Sequence, residues 1–151
     1  MTTFTELGVD QDMVDVLAAQ GIVEAFPIQE QTIPLAISGQ DIIGQAKTGT
    51  GKTFGFGLPL LQRIGTSPET GVQALVVVPT RELAVQVFED LDLASRGRDV
   101  QVTAIYGGKA YEGQIEQLKA GAQVVVGTPG RLLDLAGQRL LNLKNVREMV
   151  L

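Results

Sequence analysis

The segment Gln45-Ala46-Lys47-Thr48-Gly49-Thr50-Gly51-Lys52-Thr53 carries the residue types needed to hold a phosphate. Its glycines allow a tight turn that points backbone N–H groups at phosphate oxygens. A helix starting near Gly51 would add the positive end of its dipole. Lys52 can reach β- and γ-phosphates, and the Thr53 hydroxyl can ligate Mg²⁺. The general phosphate-loop pattern has Gly where this chain has Ala46. A plain glycine-rich turn would use similar residues. The apolar Ile42-Ile43 before the segment and the helical pattern after it supply the strand-loop-helix context that a phosphate loop requires.

Three further segments combine turn residues with a cation: Pro79-Thr80-Arg81-Glu82-Leu83-Ala84, Gly107-Gly108-Lys109 and Thr128-Pro129-Gly130-Arg131. Helix-terminal amides, hydroxyls and arginine suit a phosphodiester backbone. Each segment alone has a plainer explanation. Thr80 would cap a helix, Gly107-Gly108 would make a turn, and Thr128-Pro129 would be an N-cap followed by proline in the first helical turn. Their common placement, each following an apolar strand-like run, favours the binding reading.

The elements that position these segments follow from periodicity. Residues 10–20 read as an amphipathic helix with Met13, Val14, Val16 and Leu17 on its apolar side and Gly21 ending it. Pro27 breaks helix, and a second helix is expected from Gln29 to Ile37. Residues 41–45 read as a short buried strand feeding the phosphate loop, and 52–64 as the helix after it. A loop with Pro68 spans 66–71. The β-rich run 73–78 predicts a strand covered on both faces, followed by a helix to Ser95 with Thr80 as N-cap. Strands over 100–106, 122–126 and 146–151 alternate with helices over 111–120 and 132–136. This alternation predicts an α/β fold with a doubly wound parallel sheet, whose sites lie at the carboxyl ends of the strands.

Composition narrows the chemistry. The 151 residues suffice for one α/β domain with a core. Without cysteine there is no disulfide framework, and without histidine the usual general base and commonest metal ligand are missing. A metal would be oxygen-ligated, which fits Mg²⁺. No apolar run reaches the ~18 residues of a membrane span, and the N-terminus lacks a signal pattern, so a cytoplasmic location is expected. The net charge of −5 argues against a general polyanion binder but leaves room for a local basic site.

Taken together, residues 46–53, Pro79-Thr80-Arg81-Glu82-Leu83-Ala84, Gly107-Gly108 and Thr128-Pro129-Gly130-Arg131 resemble motifs I, Ia, GG and Ib of DEAD-box ATP-dependent RNA helicases, in order and spacing along the whole chain. Ala46 is the usual residue in that family's motif I. The resemblance implies a RecA-like P-loop NTPase domain that binds ATP and Mg²⁺. RNA would be bound through its sugar-phosphate backbone by Pro79, Thr80, Arg81, Gly107, Gly108, Thr128, Gly130 and Arg131. Residues 46 and 48–53 would hold the nucleotide, with Lys52 and Thr53 as the catalytic pair and Thr53 as the Mg²⁺ ligand.

Residues 21–29 resemble the family's Q motif, which implies that Gln29 pairs with the adenine edge and that Phe4, upstream, stacks on the base. An amide can pair bidentately with adenine N6 and N7, and base stacking is worth ~1–3 kcal/mol. Ala25-Phe26 stands where the family usually has Pro-Thr, so Phe26 would either pack on the nucleotide or plug the loop.

The resemblance divides the chain into N-terminal helices with the adenine-reading motif, 1–40, and an incomplete first RecA-like domain, 41–151. The family's Asp-Glu-Ala-Asp motif follows the strand that here reaches Leu151, and a second RecA-like domain follows that. On this reading the 151 residues grip phosphate without turning ATP over. Two other readings stay open: another P-loop enzyme such as a DNA helicase or nucleotide kinase, and a nucleotide-gated interaction module without turnover.

Overall fold

The computed structural model describes residues 1–47, 49, 51–67 and 70–151. Among these, the chain runs α1 (Gln11–Ala19), α2 (Pro27–Ile37), α3 (Lys52–Arg63), β1 (Ala74–Val77), α4 (Arg81–Ser95), β2 (Val102–Ile105), α5 (Tyr111–Lys119), β3 (Val124–Gly127), α6 (Pro129–Gly137) and β4 (Glu148–Val150). The strands form one parallel sheet in the order β2-β3-β1-β4. Pro68 of the expected 66–71 loop lies outside the described residues.

Alternation along the strands builds two cores. Ala74 and Val76 of β1, with Val102, Val124 and Val126, pack against Met13, Leu17, Ile33, Leu58, Leu61 and Leu91 from α1 to α4. Leu75, Ile105 and Val125 point the other way, to Leu132 and Leu135 of α6, with Ile115 and Leu118 of α5 beside them. Helices thus cover both faces of a parallel sheet, as the runs of β-branched residues predict. The N-terminal helices share the first core with the strands. The division at residue 40 is therefore one of sequence, with no separate core on its N-terminal side.

Most boundaries agree with periodicity within a few residues. Helix α2 begins at Pro27, because proline at the first helical position costs no hydrogen bond. For the same reason α6 begins at Pro129 and is longer than the expected 132–136.

The expected strand over 41–45 is a correction. Residues 41–45 form no strand and are exposed, Ile43 completely so. Strand β1 has both neighbours already, β3 on one side and β4 on the other. With no ladder partner among the described residues, the segment leaves its N–H and C=O groups to solvent. Ile42-Ile43 does not pair with β4, whose one strand partner is β1 among the described residues.

Candidate nucleotide and RNA site

Gly51 precedes α3 with φ +77°, a left-handed conformation that glycine adopts without strain. A Cβ there would lie 2.2 Å from Gln29 Nε2. Among the described residues no side chain caps the first turn of α3, whose N–H groups begin at Lys52 and Thr53. Lys52 is exposed and Thr53 half-buried. Thr48 and Thr50 lie outside the described residues. Ala46 is half-buried and Gly49 exposed.

The Q-like segment is tied to this turn. Gln29 Nε2 donates to the Gly51 carbonyl at 2.9 Å, and Gln29 Oε1 accepts from the Phe26 backbone N–H at 2.8 Å. Thr32 Oγ1 donates to the carbonyls of Ile28 and Gly55, adding a second link between α2 and α3. The Gln29 side chain is buried, only 1% exposed, and its amide joins two backbone segments. Each end of the amide spends one hydrogen bond on the backbone, leaving one N–H and one oxygen lone pair, the groups that the expected adenine contact would use.

Phe4 is the aromatic expected to stack on the base. It is 1% exposed and belongs to the first core. The backbone around it is held by the Thr3–Glu24 bridge and by Ala25 N donating to the Thr2 carbonyl. Burial of an aromatic ring is favourable by itself. The exposed aromatic next to Gly51 is Phe26, 48% exposed.

Sequence periodicity gave no sign of Asp90. This half-buried carboxyl on α4 is hydrogen-bonded with the Thr53 side chain, and burial raises its pKa above the usual carboxylate value against that hydrogen bond. Its position on α4 becomes meaningful only through the packing of α3 on α4.

The other three segments meet at one sheet edge. Register places Val77, Ile105 and Gly127 level with one another, so three strands end together. Thr80 Oγ1 accepts from Leu83 N at 3.2 Å, the expected cap, and Arg81 starts α4 at the surface. The Arg81 guanidinium lies against Gly108, where a Cβ would come within 2.9 Å of its Nη1. Gly108 has φ +83°, a left-handed conformation that favours glycine. On the other side, Arg131 Nη1 donates to the Lys109 carbonyl at 3.0 Å and to Gln114 Oε1 at 3.3 Å. Gly107-Gly108-Lys109 is therefore flanked by Arg81 and Arg131. Pro79, Gly107 and Gly130 are exposed, and Thr128 is a half-buried N-cap. A shallow cleft lined by Arg81, Glu82, Val85 and Tyr106 adjoins them, with Lys109 Nζ 5.6 Å from the Tyr106 ring centre.

Comparison with known proteins decides the family. The DEAD/DEAH box helicase family model matches residues 26–151. The chain belongs to the DEAD/DEAH box helicase family. It is 53% identical over 148 residues to the DEAD-box ATP-dependent RNA helicase CshA of Streptococcus pneumoniae, covering 98% of this chain and 28% of that protein. Against the ATP-dependent RNA helicase CshA of Listeria monocytogenes it is 50% identical over all 151 residues, 29% of that protein. A DEAD box protein from Methanococcus jannaschii superimposes with a TM-score of 0.90 at 37% identity, over 99% of this chain and 40% of that one. The DEAD-box chain described here thus spans less than a third of the length of these CshA relatives. Among its described residues, no helix is long and apolar enough to cross a membrane.

Proposed function

We propose that this chain is the first RecA-like domain of a cytoplasmic ATP-dependent RNA helicase, binding ATP at the Gly51 turn and RNA along the three level strand ends. Its partner in that activity is a second RecA-like domain of the same polypeptide. The observation that carries the reading is the common edge where Arg81, Lys109 and Arg131 surround Gly107-Gly108. Turn backbone and fixed cations on one surface suit a phosphate chain and leave base identity unread.

In this reading Lys52 contacts the β- and γ-phosphates and the N-terminus of α3 contributes its amides. The donors available near Thr53 are oxygens, its own hydroxyl and the Asp90 carboxyl, which fits Mg²⁺. Thr53 would hold that ion together with the nucleotide. Mg²⁺ would supply neutralisation of phosphate charge. Phe26 would pack near the nucleotide, and Gln29 would couple its binding to the Gly51 turn. On this reading the 151 residues alone bind nucleotide without turnover.

The test is RNA-stimulated phosphate release and strand separation by the native polypeptide. Lys52→Ala should abolish both while leaving RNA binding measurable. ATP hydrolysis indifferent to RNA would instead point to another P-loop enzyme, and ATP-dependent partner binding without hydrolysis to an interaction module.

A further inference from the structure

The half-buried Arg131 is held on more than one side. Its guanidinium carbon lies 3.9 Å from the centre of the Tyr111 ring. Its hydrogen bonds to Lys109 and Gln114 both use Nη1, so the Nε and Nη2 edge has no hydrogen bond among the described residues. Gln114 is itself 2% exposed and donates to the Tyr106 carbonyl at 3.2 Å, which makes it a rigid anchor. Tyr111 stands at the start of α5, and its hydroxyl donates to the Asp134 carboxylate. Asp134 follows Arg131 by three residues on α6, within reach of an arginine on the same helix face. Tyr111 therefore does two things: its ring backs the guanidinium, and its hydroxyl occupies a carboxylate that would otherwise compete for it.

We propose that Tyr111 is a positioning residue for Arg131, presenting the guanidinium's open edge to an RNA phosphate and keeping Asp134 away from it. The proposal rests on the reading of this edge as the RNA surface. A planar guanidinium gains specificity for phosphate when its orientation is preset, because less side-chain freedom is lost on binding.

The experiment measures binding of a labelled single-stranded RNA to the native polypeptide across a salt series, with a non-hydrolysable ATP analogue present. Thermal melting confirms that each variant is folded. Tyr111→Ala should weaken RNA binding about two- to fivefold, the range of an exposed cation–π contact, with a shallower salt dependence. In an Arg131→Ala background it should cost nothing further. Tyr111→Phe should fall between the two, and adding Asp134→Asn should restore it to wild type. A Tyr111→Ala loss that persists without Arg131 would mean that Tyr111 touches RNA itself and would overturn the proposal. So would a Tyr111→Ala variant that binds like wild type while Arg131→Ala binds weakly. Unchanged binding by Arg131→Ala would remove the RNA role of Arg131, and the proposal with it.

Discussion

A fully buried amide such as Gln29 must satisfy both its acceptor and its donor, and it does so by joining Phe26 to Gly51. Gln29→Ala would strand the Phe26 N–H and the Gly51 carbonyl, at a cost of ~1–3 kcal/mol each where solvent cannot reach them. Lower thermal stability without nucleotide and weaker ATP binding are both expected. Gln29→Glu should keep the Phe26 contact and lose the donor to Gly51. Calorimetric ATP titration beside thermal melting separates the two effects, and undiminished ATP binding by both variants would break the proposed coupling. Arg81 offers a sharper test at the other edge. Arg81→Ala in the native polypeptide should weaken RNA binding about equally across sequences and lower the salt slope by ~0.7 for one single-strand phosphate contact. A sequence-selective loss would indicate base readout. Residue types and spacing alone pointed to Lys52, Thr53, Arg81 and Arg131, because phosphate chemistry restricts which residues can serve. They could not reveal that Phe4 is buried, since an isolated aromatic near a terminus looks the same in sequence whether it packs or stacks. Nor could they reveal Tyr111 and Asp134, whose meeting depends on how α5 and α6 are set side by side.

At the level of elements, one arginine adds a polar clamp to the apolar packing of α1. Arg98, beyond α4, donates through Nε and Nη2 to both oxygens of Asp12, through Nη2 to Asp10, and through Nη1 to the Leu61 carbonyl. Its side chain is 14% exposed, so these bonds are partly shielded from water and salt. The Arg98 hydrogen bonds hold the Asp12 carboxyl below its ordinary pKa, against a smaller desolvation effect. A lowered carboxylate pKa contributes stability above the unfolded value, and that contribution disappears as pH falls through the folded value. Stability should therefore decline from about pH 4 downward, and Asp12→Asn should flatten part of that decline. Denaturant unfolding at a series of pH values checks this; an unchanged acid limb in Asp12→Asn would show that the clamp contributes nothing. The helices themselves were readable because buried positions recur at helical spacing, as with Met13 and Leu17 in α1. The clamp was not, because Asp12 and Arg98 are 86 residues apart and no periodicity links them.

The whole molecule turns on what its sheet leaves open. The alternation of strands and helices was enough to predict a parallel doubly wound sheet, but a strand exists only with a neighbour, and periodicity within one segment says nothing about neighbours. Residues 41–45 have β-like composition but no ladder partner among the described residues, and Ile42 and Ile43 face solvent. Strand β4 has the complementary problem: among the described residues only β1 pairs with it, and Met149 is 59% exposed at the sheet margin. The Arg63–Glu148 ion pair, 2.7 Å long, ties β4 to the end of α3, but a pair this exposed contributes little. An unpaired apolar edge is a template for another chain. The 151-residue chain by itself should therefore associate as its concentration rises, through the β4 edge. Met149→Lys places a charge where natural edge strands carry one, so it should shift sedimentation toward monomer without lowering the melting temperature measured in dilute solution. Ile43→Lys tests the other exposed segment, and a smaller effect there would assign the contact to the strand edge. Sedimentation of the unaltered chain as a monomer at every concentration would refute the idea, since a free edge and two exposed isoleucines would then be tolerated without pairing.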